Sequence, residues 1–210
     1  MVHRIVVAHD RPEAALLDAV RAIQSGGVIA MPTDTFYGLA VDPFRADAVA
    51  KIFAVKGRSA ERALPLIAAD ADQVRDRIGS LPPLAERLAS RFWPGPLTML
   101  LVAPATLAAG VSGGTGKVGV RVPDHAVARA LCAACGTPLT ATSANVSGAP
   151  PSADPDEIWR TLGDGIDVLV DAEMTAGGSP STIVDVTGSA PTLVRAGAIP
   201  WTVIQMGSRE

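Results

Sequence analysis

The chain has 210 residues, 48% of them hydrophobic and 19% charged, a balance that suits one folded domain with a real core and excludes a disordered segment. Its formal net charge of −3 excludes a surface built to grip nucleic acid through phosphates, so any polyanion it binds is small and held locally. No run approaches the roughly 20 apolar residues of a membrane helix. MVHRIVVAHD has neither the apolar run nor the cleavage site of a signal peptide, which predicts a cytoplasmic protein with no membrane contact.

In chain order, PEAALLDAVRAIQS (12–25) sets Leu16, Leu17, Val20 and Ile23 on one face, with Pro12 near its start and Gly26-Gly27 after its end. That spacing predicts a helix. A strand at 28–31 follows, then a short strand near 37–41 and a helix at 46–56 closed by Gly57. LPLIAA reads as a strand, 70–78 and 83–92 as helices, and LTMLLVA and KVGVRV as strands. A helix at 124–134, capped by Asp124 and ended by Gly136, leads to the strand LTATSA and a helix at 156–162. IDVLVDA, STIVDVT and TLVRA are the last predicted strands. Helices and apolar strands interleave throughout, which predicts an α/β fold with a mixed sheet. No repeat, charge run or low-complexity linker divides it, so 1–210 reads as one domain.

Two motifs invite chemistry and fail on context. Cys132 and Cys135 have a C-x-x-C spacing, but they fall at the end of a predicted helix, where the dipole disfavours a thiolate, and zinc would find only His125 nearby. They read as helix-packing side chains. GVSGGTGKVG (110–119) fits a nucleophile elbow at Ser112, yet a strand follows it where a helix is required, and the only later histidine is His125. Gly114, Gly116 and Gly119 fit a dinucleotide loop but likewise enter a strand, and a phosphate loop at Lys117 is broken by Val111 and Val118. The expectation is a mobile glycine loop, able to act as a lid.

Polar residues gather where predicted strands end: Thr33 to Thr35, the stretch 140–148, Arg121, Ser181 with Thr182, and Arg195, with Lys56, Arg58 and Arg62 just after a helix. In open α/β sheets such ends converge on a ligand cleft. Arg121 and Arg195 lie within apolar strand patterns, and a buried guanidinium needs a partner, which points to an anion. The set has many cations and hydroxyls and no nucleophile with its base, a lining suited to a phosphate chain. Local roles stay open for several: Lys56 and Arg58 complement a helix C-terminus, Thr33 and Thr35 form a turn, and Ser143 and Asn145 cap the next segment.

MPTDTFYGLAVD, KIFAVKGR, FWPGPLTMLL, VGVRVP, ATSANVSG, STIVDVT and VRAGAI, in this order over about 12–200, together resemble the YrdC-like family of threonylcarbamoyl-AMP synthases. Lys56/Arg58 and Ser143/Asn145 match its K-x-R and S-x-N pair, which marks the nucleotide-using synthases. Ser59, Phe36 and Ala196 depart from the family pattern.

The resemblance implies a twisted mixed sheet with flanking helices around a deep positive cavity, similar to dihydroxybutanone phosphate synthase. It implies an enzyme, a nucleotidyltransferase joining L-threonine, bicarbonate or CO2, and ATP into threonylcarbamoyl-AMP with release of pyrophosphate. Mg2+ would accompany ATP, with no metal site of the protein's own. A downstream complex would pass the threonylcarbamoyl group to the tRNA adenosine beside the anticodon, with a weak tRNA contact here. The family pattern sets Thr35, Arg121 and Ser181 around threonine, and Lys56, Arg58, Ser143, Asn145 and Arg195 around ATP, with Arg62, Lys117 and Ser152 as further matches. It implies the short form of the family, without an added C-terminal domain, and water exclusion by a loop at 173–180 or 104–116. Two rival readings are a non-catalytic nucleotide- or RNA-binding module on the same fold, and a serine hydrolase built on Ser112.

Overall fold

The computed structural model describes residues 3–7, 12–57 and 63–208, without the side chains of 12–15. The first half contains β1 (His3–Val6), α1 (Pro12–Gln24), β2 (Ile29–Met31), β3 (Gly38–Ala40), α2 (Ala46–Lys56), β4 (Leu66–Ile67), α3 (Ala71–Arg77), α4 (Pro83–Phe92) and β5 (Leu97–Val102). The second contains β6 (Lys117–Arg121), α5 (Ala126–Cys135), β7 (Leu139–Thr140), β8 (Thr142–Ser143), α6 (Pro155–Leu162), β9 (Val168–Asp171), β10 (Thr182–Asp185), β11 (Thr192–Arg195) and α7 (Trp201–Gly207), with a 3-10 turn at Gly163–Gly165.

Helix ends follow local chemistry. Asp70 accepts from the Gln73 N–H and Asp154 from the Asp156 N–H, capping α3 and α6. Gly57, at φ 60°, turns α2 out of its helix. The cap expected of Asp124 is corrected: α5 begins after His125, which offers no side-chain cap, and Asp124 stands one residue too early to reach the free N–H groups.

The α/β class with mixed pairing holds, and the strands divide between two sheets. One has the order β1-β9-β2-β3-β8, the other β11-β10-β5-β6-β4-β7. The run LTATSA serves both. Its first half, β7, pairs antiparallel with β4, Thr140 opposite Leu66, while its second, β8, pairs antiparallel with β3, Thr142 opposite Leu39. Ala141 makes the step, its N–H held by the Pro65 carbonyl at 2.8 Å. Thr140, fully buried, accepts from the Val41 N–H at 3.0 Å and donates to the Leu39 carbonyl at 3.3 Å. Its own N–H reaches the Val41 carbonyl at 3.1 Å. One side chain thus knits the edge strand β7 of the second sheet to β3 of the first.

The core forms two clusters that draw on both sheets. Leu66, Leu97, Met99, Val118 and Val120 of the second sheet join Leu39, Ile52 and Leu88 in one cluster, and Leu16, Ile23, Ile29, Leu131 and Val170 pack α1 and α5 on the first sheet in another. Cys132 lies wholly inside that second cluster, where burial pushes its thiol far up, and burial raises Cys135 to about 11. Both stay protonated and serve packing.

Two expectations change. The glycine loop after β5 is pinned at its middle: Val111 is buried, its carbonyl accepts the Leu64 N–H at 2.9 Å, and Gly110 leaves no room for a Cβ against Phe53. TLVRA, whose Arg195 is expected to be buried, forms the exposed edge strand β11, because the sheet ends there, with β10 its ladder partner among the described residues.

Thr140→Val keeps the shape and strips the hydroxyl, leaving the Val41 N–H without its acceptor. Chemical denaturation should show a loss of about 1–3 kcal/mol with an unchanged m-value.

Candidate active site

The cleft between the sheets holds a cavity of about 490 Å³, walled by Thr33, Thr35 and Ser143 from the first sheet and by Thr98, Arg121, Ser181 and Arg195 from the second. Thr33 shapes the β2–β3 connection: its hydroxyl donates to the Phe36 carbonyl at 2.7 Å and accepts from the Thr35 N–H at 3.2 Å. Having only one proton, Thr33 can meet the Thr35 hydroxyl, 3.2 Å away, only as acceptor. Thr35 therefore spends its proton inward and turns acceptor lone pairs towards the cavity. The Thr35 carbonyl accepts from the Gly177 N–H at 2.8 Å and the Thr175 hydroxyl at 2.9 Å. Tyr37, its phenol raised to about 12 mainly by burial, donates to the Glu173 carbonyl. The 173–180 segment is thus tied to the cavity wall, and Pro180 lines it. No residue of 104–116 lines it here, and the middle of that loop is held in the core.

Arg121 closes β6 with its side chain only 8% exposed, paired through Nη1 with Asp34 at 2.8 Å, itself 10% exposed. Burial draws the guanidinium pKa down, and Asp34 draws it back up, while Arg195 lowers it again. Two cations within each other's field favour an anion between them. Arg195 is exposed on its outer side, contrary to the buried placement expected, but its Nη2 turns in to the Ser181 carbonyl at 2.7 Å and hydroxyl at 3.2 Å. Partial burial lowers its pKa as well. The Ser181 hydroxyl also meets that of Thr98 at 2.8 Å. Gly197 passes so close that a Cβ would lie 2.3 Å from the Pro180 carbonyl oxygen, so the backbone beneath Ser181 requires a glycine there.

Opposite stands the lysine wall. Lys56, only 2% exposed, sends its ammonium to the Ser143 carbonyl at 2.5 Å and to the Asn145 carbonyl and Oδ1, both at 2.9 Å. The Ser143 hydroxyl donates to Asn145 Oδ1 at 2.6 Å, and the Asn145 amide donates to the Ala149 carbonyl. The two halves of the K-x-R and S-x-N pattern are therefore in direct contact. Ser143 faces the cavity, with Lys56 and Asn145 behind it. Arg58 and Arg62 lie outside the described residues.

Lys117 and Ser152 are not brought to the cavity. Lys117 opens β6 and Arg121 closes it, about 13 Å apart at some 3.3 Å per residue, and Lys117 pairs with Asp185 at 2.5 Å. Ser152 donates to Glu157 and accepts from the Asp154 N–H at 3.1 Å, which commits its hydroxyl to the turn before α6. Sequence reasoning missed Asp34 and Thr98. The first stood inside the T-D-T cluster between two residues singled out; the second shares a strand face with Leu100, which also lines the cavity, by simple alternation.

A family model described as Sua5/YciO/YrdC, telomere recombination, matches residues 21–197. The chain belongs to this family. The threonylcarbamoyl-AMP synthase of Bacillus subtilis is 37% identical over 185 residues, covering 88% of this chain and 54% of that protein. That of Marinobacter nauticus is 39% identical over 169 residues, covering 80% of this chain and 89% of that one. Pyrococcus abyssi Sua5 complexed with L-threonine superposes with a TM-score of 0.91 at 32% identity, covering 99% of this chain and 60% of that one. The chain thus spans little more than half of the Bacillus and Pyrococcus relatives and most of the Marinobacter one.

Lys56→Met keeps an unbranched apolar stem and removes the ammonium. It removes three hydrogen bonds to the oxygens of Ser143 and Asn145, and thermal or chemical denaturation should show a stability loss of about 3 kcal/mol, accompanying any loss of activity.

Proposed function

We propose that the chain is a threonylcarbamoyl-AMP synthase, joining L-threonine, CO2 or bicarbonate, and ATP with release of pyrophosphate. The observation that carries this reading is the convergence of Arg121, Thr35 and Ser181 with Ser143 and Arg195 on one cavity, in a chain whose relatives carry that name. Two arginines and no carboxylate line the cavity among the described residues, a field that favours anionic substrates.

In this reading Arg121 grips the threonine carboxylate as a fork. Thr35 accepts from the amino acid's N–H or O–H groups, and Ser181 fixes its other side. The amine takes up CO2, a carbamate oxygen attacks the α-phosphorus, and the bond to the pyrophosphate oxygen breaks. Arg195, Ser143 and the lysine-clamped segment behind it orient ATP, and Arg58 and Arg62 are the further cations proposed for the triphosphate. Magnesium is proposed to enter with ATP. The 173–180 segment, tied to Thr35, is the element proposed to exclude water from the labile carbamate and anhydride. The product's reactivity calls for a downstream complex that transfers the group to tRNA, in the cytoplasm. Among the described residues no helix is long and apolar enough to cross a membrane.

The non-catalytic alternative has less support, because Lys56, Ser143 and Asn145 form an intact hydrogen-bonded unit at the cavity wall. A hydrolase at Ser112 has less still: the serine follows the pinned Val111, and its hydroxyl meets no histidine among the described residues.

Incubated with MgATP and bicarbonate, the protein should release pyrophosphate only when L-threonine is added, with L-serine much poorer. Release independent of the amino acid would reject the synthase. Thr35→Val, which keeps the shape of the wall, should raise the apparent KM for threonine about tenfold, as expected for one lost hydrogen bond in a closed site. An unchanged KM would remove Thr35 from the amino-acid pocket.

A further inference from the structure

Arg121 reaches the cavity with one nitrogen already committed, Nη1 on Asp34 Oδ1. In a guanidinium Nη1 lies on the side of Cδ, so this bond leaves the parallel N–H edge of Nε and Nη2 intact. Neither of those nitrogens has a hydrogen-bond partner among the described residues, and neither is sealed off as a buried orphan. Asp34 itself does not line the cavity, although its neighbours Thr33 and Thr35 do. Its backbone is clamped between them, since the Thr33 hydroxyl holds both the Thr35 N–H and the Phe36 carbonyl. A hydrogen-bonded turn of one sheet thus holds the end of a side chain of the other.

We propose that Asp34 is a positioning residue, which fixes Arg121 so that its Nε–Nη2 edge meets the carboxylate of the amino-acid substrate. This rests on the reading of Arg121 as the carboxylate anchor. Three physical effects support it. An arginine gives up much side-chain freedom when it is ordered, and an anchor that orders it beforehand removes that cost from binding. A guanidinium this deeply buried needs a counter-charge before substrate arrives, and Asp34 supplies it. The carboxylate takes the Nη1 side, so it does not compete with a substrate for the fork. Burial working against the charged form of Arg121 makes this counter-charge more important.

The test is calorimetric titration of the full chain with L-threonine, and separately with MgATP, for wild type, Asp34→Asn, Arg121→Lys and the double variant. Asp34→Asn keeps the shape and removes the charge. It should weaken threonine binding about tenfold, the difference between a charge-assisted and a neutral hydrogen bond, while MgATP affinity stays within about twofold. In the Arg121→Lys background the same change should have little further effect, because the group it positions has gone. If Asp34→Asn does not fold, Asp34→Glu serves in its place: it keeps the charge, displaces it by one methylene, and should also weaken threonine selectively. Unchanged threonine affinity, losses that multiply in the double variant, or equal losses for both ligands would each overturn the positioning role. A wild-type protein that binds MgATP but not threonine would overturn the functional reading and this inference with it.

Discussion

The step of the chain between Thr140 and Thr142 is the constraint on which the rest of the molecule depends. A single extended run pairs first with β4 and then with β3, so the two sheets are fixed to each other along one seam and open away from it. The cavity is that opening. Hydrogen bonds mark the seam: the Thr140 hydroxyl reaches Val41 and Leu39 of the first sheet, while the Ala141 N–H reaches Pro65 beside the second. Side chains at the strand tips then face one another across the gap without needing long loops to carry them there. The chemistry of the family therefore follows from a topological feature before any cation is considered.

Two buried cations illustrate how the same cost is met in different ways. On one side of Lys56, carbonyl and amide oxygens of the 143–145 segment hold its ammonium, much as they would a bare metal ion. Its charge is spent on holding a loop in shape. Arg121 has a carboxylate partner but an unfinished set of hydrogen bonds, and what is unfinished points into the cavity. The first arrangement makes a wall and the second makes a binding surface. Geometry separates them where charge and burial do not.

Much of this was legible in the sequence, and the reasons differ by element. Helices such as α1 and α4 announce themselves by periodicity, and most strands do so by short apolar runs. The half-exposed β1 and the short α7 carried too weak a pattern to be read, and the division of LTATSA between two sheets has no sequence signal at all, since both halves look like one strand. At the site, Thr35, Arg121, Ser181, Ser143 and Arg195 converge as the strand-end argument expects. Lys117 resembled them in type but stands at the wrong end of its strand, a distinction that requires the register with β5. Asp34 was hidden for the opposite reason: an acidic residue in a turn has so common a local explanation that its partner 87 residues away is invisible until the sheets are assembled.

The contact between Lys56 and the 143–145 segment has a consequence for how the chain can change over time. The two halves lie 87 residues apart, yet the ammonium that loses those oxygens loses three hydrogen bonds at once, and the oxygens lose the one donor they share. Neither half has any value as an intermediate stage. Natural variation should treat the pair as a single heritable unit, kept whole or discarded whole.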